Sequence, residues 1–379
     1  MSEIKAGSHP PPASPSGPQR FWELDSLRGI AAVMVVVAHI SLGPLFWSWS
    51  LMDMFFTLSA FLLTRIVYKH CTDWRGVMSF YGRRIERIWP LYMLTVTVLL
   101  VITLVLNARR GTDYDLSVFP RLFTFSQYSE MLFHPVAAYP YLPFARHLWS
   151  LAVEEQFYLL LPFAILLLRR LPVVAWMVAV LAIIGGAIAL RARDPNLYVL
   201  TSHADAFALG GLLAVGFPLL SAHRRQATWL FALIAAVSLL LLMPYLVNGY
   251  AAYFSGQTPF AYEPGPATAS IFFWAAVIGL LALHQGARGL APMRWRGFVH
   301  LGNLSYALYL VHFPILRLLP QTLMAHFPGL SEFAAELICL PLIFALTEWL
   351  YRTIDRPVQQ KQPFRLAPRP SPEPRHAGA

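Results

Sequence analysis

Charged residues are scarce in this sequence of 379 residues. Asp, Glu, Lys and Arg make up 13% of the chain, whereas hydrophobic residues make up 57%. Ordinary globular proteins carry roughly 25% charged residues, which cover a surface in contact with water. The composition therefore excludes a soluble globular protein and predicts a membrane protein.

Cysteine is also rare, with Cys71 and Cys339 as the only two in the chain. They provide neither a disulfide framework nor a cysteine-based metal site, and nothing beside them marks a nucleophile. A glycine-rich phosphate loop and a Gly-x-Ser-x-Gly motif are missing as well. Soluble-enzyme chemistry of these kinds is not indicated, and we expect neither a metal nor a permanently bound cofactor.

The net charge of +10 would suggest nucleic acid as a partner if the protein were soluble. Here the basic residues lie between apolar runs, which is typical of membrane topology. We therefore expect the lipid bilayer, and no nucleic acid, as a partner.

Ten apolar runs approach the length of about 20 residues that crosses a bilayer. They lie at residues 26–45, 51–68, 88–106, 147–168, 171–190, 205–220, 228–247, 267–285, 301–319 and 333–351. The sixth run is the weakest candidate, and a short or re-entrant segment at residues 119–128 is an alternative that would change the number of crossings. The runs predict an all-α integral membrane protein with about ten transmembrane helices.

The two ends of the chain are rich in proline and small polar residues, so we predict disordered tails at residues 1–20 and 357–379. One transmembrane domain, residues 21–356, lies between them. No cleavage site follows the first apolar run, which we expect to remain as a membrane anchor. Most of the 29 Lys and Arg residues fall on one side, with Arg109 and Arg110 as the misfit, so both termini are predicted to be cytoplasmic.

Ionisable side chains inside apolar runs are costly in lipid and indicate function. His39 follows the apolar residues 31–38, and Arg28 lies eleven residues earlier. Eleven residues are close to three helical turns, so both side chains share one helix face, about 16 Å apart. A neutral imidazole can take a proton from a hydroxyl or become acylated itself. The alternative is a histidine that hydrogen-bonds a neighbouring helix.

Three more ionisable residues interrupt later apolar runs. Glu154 and Glu155 point about 100° apart on a helix, so one can face a cavity while the other pairs elsewhere. An interhelical salt bridge is the alternative for this pair. His312 is a second candidate buried histidine, with an interfacial position near Pro314 as its alternative.

Basic residues lie at the start of the third run. Arg84 and Arg87 are three residues apart and so share a helix face. Their forked guanidinium groups can bind phosphate or pyrophosphate. The alternative is that topology alone requires basic residues at this boundary.

Seven short segments are informative when they are taken together and in order. They are residues 24–32 (LDSLRGIAA, followed by His39), 55–62 (FFTLSAFL), 84–92 (RIERIWPLY), 149–158 (WSLAVEEQFY), 205–210 (DAFALG), 305–312 (SYALYLVH) and 348–357 (EWLYRTIDRP). Together they resemble the acyltransferase 3 family of integral membrane acyltransferases. The resemblance covers residues 21–357.

This resemblance implies an acyl-CoA-dependent O-acyltransferase, which transfers groups other than aminoacyl groups. An acyl group, usually acetyl, would move from cytoplasmic acetyl-CoA or another acyl-CoA to a hydroxyl of a sugar in a cell-surface or exported glycan. The location implied is the bacterial inner membrane, with several passes. An appended hydrolase-like domain, which some members carry, is not in this sequence.

The resemblance also implies roles for particular residues. The catalytic group would comprise His39 as base or acyl relay, Arg28 and Glu155. Donor binding would fall to Arg84 and Arg87. Residues near the acceptor, or supporting the site, would be Glu154, Asp205, Tyr306 and His312.

The sequence departs from the family pattern in two places. Ala60 stands where a glycine is usual, and His203 and Ala204 stand where an arginine commonly precedes the acidic residue, here Asp205. Contacts to the acceptor are therefore expected to differ at this point.

A proton-coupled transporter or flippase for a polar or glycan substrate is the alternative function. In that hypothesis His39, Glu154 and Glu155 form a proton relay or a polar substrate path. It explains ionisable groups in the membrane without covalent chemistry.

Overall fold

Each of the ten predicted apolar runs coincides with a helix. A computed structural model describes residues 20–40, 43–127, 142–194, 196–255 and 263–361, which contain helices, turns and no strand. The helices are α1 (Trp22–His39), α2 (Ser50–His70), α3 (Trp74–Arg110), α4 (Val118–Phe123), α5 (Trp149–Leu168), α6 (Val173–Arg193), α7 (Ala204–Ala222), α8 (Arg224–Phe254), α9 (Pro264–Leu283), α10 (Arg296–His326), α11 (Glu332–Leu350) and α12 (Arg356–Lys361). The predicted all-α class is confirmed.

Within the described residues, nine helical segments are long and apolar enough to cross a membrane. Helix α7, on the weakest predicted run, is within one of them. Helix α1 is not among the nine, because Glu23, Asp25 and Arg28 interrupt its 18 residues. Its inner face is nevertheless buried against other helices, so α1 is the tenth long element of the bundle.

Large apolar side chains cover the outside of the bundle. Val174 and Leu181 of α6 are 72% and 62% exposed, and Leu240 and Leu241 of α8 are 69% and 64% exposed. Water disfavours such a surface, whereas lipid matches it. The chain is therefore a multi-pass membrane protein.

Helix α3 is long enough to extend beyond the lipid. The Asp73 side chain accepts a hydrogen bond from the Gly76 N–H at 2.8 Å and caps its start, and Gly111, with φ of 64°, ends it in the left-handed region. Its 37 residues measure about 55 Å, against about 30 Å of hydrocarbon. Arg84 and Arg87 consequently lie on the N-terminal part of α3, just before its most apolar part.

Helices α1 and α10 approach so closely that only glycine fits between them. A Cβ atom on Gly29 would clash with the backbone nitrogen of Gly302, and a Cβ atom on Gly302 would clash with the carbonyl oxygen of Asp25. Further along, the ring of His39 in α1 meets that of His312 in α10. The two helices therefore run in the same direction and in register.

We expect Gly302→Ala to destabilise the protein, because the added methyl group must push α1 away from α10. Overpacking of this kind costs about 1–3 kcal/mol. Gly185→Ala in α6 is the matched control, since no atom lies within 4 Å of a Cβ there and only helix propensity changes. Thermal unfolding in detergent, followed by circular dichroism, measures both variants. Equal melting temperatures would contradict the close packing.

The chain is helical beyond residue 356, where the predicted transmembrane domain ends and the predicted C-terminal tail follows. Tyr351–Asp355 forms a π-helical turn, and α12 continues the helix through Lys361 because it packs against α3, which composition does not reveal. Residues 362–379 of that tail, and 1–19 of the N-terminal tail, lie outside the described residues. The segment at 119–128 includes only the short helix α4, and its last residue is likewise outside. The cytoplasmic position of both termini stays a prediction.

Candidate active site

Arginines and glutamates meet where α1, α3 and α5 come together. Arg28 lies within electrostatic range of Arg87 and Glu154. Arg84 lies within range of Arg87, Glu154 and Glu155. We call these five residues the arginine cluster. The structure thus brings together five of the sequence candidates, drawn from three helices.

Both glutamates of this cluster are held by neighbouring side chains. Ser59 donates a hydrogen bond to Oε1 of Glu154, and the Tyr158 hydroxyl lies close to the same carboxylate. The indole of Trp89 lies close to Glu155. Among the described residues, hydroxyl and indole groups therefore surround the two carboxylates, and no glutamate–arginine salt bridge forms at this position.

Two atoms of the arginine cluster keep unused hydrogen-bonding capacity among the described residues. Nε of Arg84 and Oε1 of Glu155 are buried and have no hydrogen-bond partner. Tyr306 of α10 borders the cluster: it lies within electrostatic range of both glutamates, and its hydroxyl donates to the Ile88 carbonyl at 2.7 Å. Buried polar atoms normally have partners, so the free atoms indicate room for a polar ligand.

A pocket of about 100 Å³ lies beside this cluster. It is lined by Arg83, Arg84, Glu86, Arg87, Val358 and Gln359. Three guanidinium groups against one carboxylate favour an anionic ligand, and phosphate oxygens match the guanidinium fork. We call this cavity the arginine pocket. Its Val358 and Gln359 come from α12, which sequence analysis assigned to a tail.

Three histidines meet further along the bundle, at the C-terminal end of α1, within α10 and just before α5. The ring centroid of His312 lies 5.2 Å from that of His39 and 5.5 Å from that of His147. Phe313 packs against His39 at 4.9 Å and against His147 at 5.0 Å. We call His39, His147 and His312 the histidine cluster. The sequence identified His39 and His312 as candidates but not His147, which lies two residues before the start of α5.

Hydrogen bonds to the backbone define the tautomers of two of these histidines. Nδ1 of His39 lies 2.8 Å from the Val35 carbonyl, and Nδ1 of His312 lies 3.0 Å from the Leu308 carbonyl. A carbonyl oxygen only accepts, so Nδ1 carries the hydrogen in each ring. Nε2 is then the acceptor nitrogen of the neutral imidazole and can take a proton.

The arginine cluster and the histidine cluster lie at different levels along the helix bundle. Helix α1 carries Arg28 into the first and His39 into the second, eleven residues and therefore about 16 Å along the axis. Helix α5 runs the other way, with His147 at its start and Glu155 two turns later. Arg28 and Glu155, grouped with His39 in the sequence prediction, therefore belong to the arginine cluster and not to the surroundings of His39.

Asp205 is locked in a buried ion pair. Arg191 donates to both of its carboxylate oxygens, at 2.6 and 3.2 Å, and both side chains are fully buried. Arg191 also donates to the Ser202 carbonyl at 2.6 Å and to Thr268 at 2.7 Å. The arginine that pairs with Asp205 thus comes from α6, and sequence spacing did not reveal this pairing.

His203, the residue that departs from the family pattern, pairs with a different acid. Its Nδ1 lies 2.8 Å from Oδ1 of Asp53, and its Nε2 donates to the Leu197 carbonyl at 2.9 Å. Its ring stacks on Trp149 at 5.6 Å. The two acids and their partners form a buried network of α2, α6 and α7, separate from the arginine cluster.

The part of the chain that the structure describes contains no group of three His, Cys, Asp or Glu side chains able to hold a metal ion. This holds for the three histidines of the histidine cluster as well. Its rings contact one another at a tilt or edge to face.

Fold and site together define an integral membrane protein with an arginine-lined pocket at one end of a helix bundle and a cluster of imidazole rings further along it. A family model described as an acyltransferase domain matches residues 21–352. The chain belongs to this acyltransferase 3 family.

Similar curated proteins are longer than this chain. The peptidoglycan O-acetyltransferase OatA of Listeria monocytogenes is 24% identical over 367 residues, which cover 89% of this chain and 55% of that protein. The O-acetyltransferase OatA of Staphylococcus aureus is 23% identical over 366 residues, which cover 91% and 58%. This chain spans little more than half the length of these relatives. No solved structure matches it.

Proposed function

We propose that the protein is a membrane O-acyltransferase of the bacterial inner membrane. It takes an acyl group, acetyl in the simplest case, from acyl-CoA and transfers it to a hydroxyl of a sugar in a cell-surface or exported glycan. The observation that carries this proposal is an arginine pocket beside the arginine cluster, with a histidine cluster further along α1, in an acyltransferase domain.

The arginine pocket suits the phosphate end of coenzyme A. Arg84 and Arg87 face an open cavity together with Arg83, and Nε of Arg84 is free to donate. Charge-assisted bonds from arginine to phosphate are among the strongest hydrogen bonds in proteins. From this pocket the pantetheine arm would carry the thioester past the arginine cluster toward the histidine cluster, and Arg28 and His39 of these two clusters are about 16 Å apart along α1.

The histidine cluster suits the transfer step. His39 has Nδ1 fixed by Val35, so Nε2 can accept the proton of an attacking hydroxyl. His312 offers a second acceptor nitrogen beside it. Phe313 packs against both rings, and an apolar neighbour of this kind helps to exclude water, which would protect the thioester from hydrolysis.

A glycan acceptor is supported by the relatives, one of which is named a peptidoglycan O-acetyltransferase. The chain spans only part of those proteins, so the acceptor of this protein is a proposal in its own right. The buried network that contains Asp205 also contains His203, whose ring stacks on Trp149 at the start of α5, two residues after His147.

Transfer of label from [¹⁴C]acetyl-CoA to the envelope glycan fraction tests the function. Membranes that contain the protein are expected to form an alkali-labile glycan ester, and membranes without it are not. A proton-coupled transporter would move its substrate without any acyl transfer from acetyl-CoA. Absence of label in the glycan, together with substrate uptake driven by a proton gradient, would overturn the proposal.

We expect Arg84→Ala to raise the KM for acetyl-CoA about 10- to 100-fold with a smaller change in kcat. The reason is the loss of a charged donor worth about 1.5–3 kcal/mol to a phosphate. Arg110→Ala is the matched control, because Arg110 is an exposed arginine at the opposite end of the same helix. Steady-state transfer rates at varied acetyl-CoA measure the effect. An unchanged KM in Arg84→Ala would remove the arginine pocket from donor binding.

A further inference from the structure

His147 is a buried histidine with unused hydrogen-bonding capacity. It is 4% exposed, and neither Nδ1 nor Nε2 has a hydrogen-bond partner among the described residues. The Leu310 carbonyl lies beside the ring but outside hydrogen-bond geometry. An unsatisfied buried polar group is costly, so such a side chain in a native protein calls for a partner that the chain itself does not supply.

The three rings of the histidine cluster are not equivalent as donors. His39 and His312 each spend their N–H on a helix carbonyl, so as neutral imidazoles they offer only an acceptor nitrogen. His147 alone among the three retains an N–H for a ligand. The cluster therefore presents acceptors for a hydroxyl and one donor for a carbonyl oxygen.

The position of His147 is fixed through its backbone and its ring. The Tyr309 hydroxyl donates to the His147 carbonyl, and Ser150 lies 2.6 Å from the same hydroxyl. The ring packs against Tyr309 at 5.3 Å and Phe313 at 5.0 Å. A donor held in this way can be oriented before the substrate arrives, which is what stabilisation of a developing charge requires.

We propose that His147 is a catalytic residue that donates a hydrogen bond to the carbonyl oxygen of the acyl group. This inference rests on the proposed function and adds the group that binds the oxyanion. The ligand it assigns to the histidine cluster is the thioester carbonyl of an acyl-CoA.

The transfer step then needs only His39, His147 and the two substrates. The acceptor hydroxyl oxygen attacks the carbonyl carbon while Nε2 of His39 takes its proton, and the C=O electron pair moves to the oxygen that His147 binds. The intermediate collapses as the C–S bond breaks with its electron pair on sulfur. His39 returns the proton to that sulfur, which leaves free coenzyme A and the ester.

Binding of two stable donor analogues to the purified protein tests this role without turnover. One is the ketone isostere of acetyl-CoA, in which CH₂ replaces sulfur, and the other is S-ethyl-CoA, which lacks the carbonyl oxygen. We expect the wild type to bind the ketone about 3- to 10-fold more tightly, the value of one hydrogen bond. His147→Leu is expected to bind both equally, and His147→Asn or His147→Gln to restore part of the preference.

Transfer rates give a second readout. We expect His147→Leu to lower kcat about 10²- to 10³-fold, as removal of an oxyanion donor does, with little change in the KM for acetyl-CoA. If His147 had only a structural role and bonded to the Leu310 carbonyl, His147→Leu would change the affinity for both analogues by the same factor. That result, or a carbonyl preference that survives in His147→Leu, would overturn the inference alone. Failure of the wild type to bind coenzyme A itself would overturn the proposed function with it.

Discussion

Replacing His39 by alanine is expected to reduce acyl transfer by at least about 10²- to 10⁴-fold, the usual contribution of a general base. If the imidazole also carries the acyl group, the loss is complete. The structural reason is that Nδ1–H is committed to the Val35 carbonyl, which leaves Nε2 as the nitrogen that takes the proton. The measurement is the initial rate of label transfer from acetyl-CoA in membranes with matched protein levels.

The matched control for this variant is His326→Ala. His326, at the end of α10, makes the same bond from Nδ1 to the carbonyl four residues earlier, here Thr322 at 2.8 Å, but it is exposed. Its loss is expected to leave transfer unchanged. A His39→Ala protein that transfers acyl groups as well as His326→Ala does would exclude His39 from the chemistry.

Asp205→Ala is expected to destabilise the protein by about 3–5 kcal/mol, because it removes the carboxylate that accepts two hydrogen bonds from the buried guanidinium of Arg191. The bonds of Arg191 to the Ser202 carbonyl and the Thr268 hydroxyl go to neutral oxygens. Chemical unfolding in detergent measures the change. The expected result distinguishes a structural acid from an acceptor-binding acid, whose loss would affect activity at unchanged stability.

Two further variants complete this test. Arg193→Ala removes an exposed arginine from the same helix and is expected to change stability little. The double variant Arg191→Met with Asp205→Leu replaces the pair by apolar side chains and is expected to recover most of the loss. Wild-type stability in Asp205→Ala alone would show that the ion pair contributes nothing to the fold.

Hydropathy was sufficient to predict the ten long helices of the described residues, because each membrane helix must satisfy its own backbone hydrogen bonds inside lipid. The short helix α12 was missed, since its residues are polar and their order comes from packing against α3. The length of α3 was underestimated for a related reason: its first turns are charged and amphipathic, and hydropathy marks only the part in the hydrocarbon.

The candidate site was predicted less completely. Spacing related Arg28 to His39 along one helix, but it could not show that α5 runs in the opposite direction and carries Glu155 away from His39. Arg191 looked like an ordinary basic residue at the end of a run, and only the packing of α6 on α7 shows its partner. His147 precedes its helix and has no local pattern, so only the meeting of three helices shows its place.

We expect acyl-CoA to be used at the arginine end of the bundle and the product to form toward the histidine end. Sealed membrane vesicles of both orientations, supplied with [¹⁴C]acetyl-CoA on the outside only, test it directly. Arg110→Cys reports orientation with an impermeant maleimide, because position 110 is exposed and the two native cysteines are buried. That position lies about 35 Å along α3 from the arginine pocket.

We expect label in the glycan only when acetyl-CoA is on the side opposite the introduced cysteine, where Arg84 and Arg87 lie. Transfer that requires acetyl-CoA on the same side as that cysteine would contradict the assignment of the arginine pocket as the donor site.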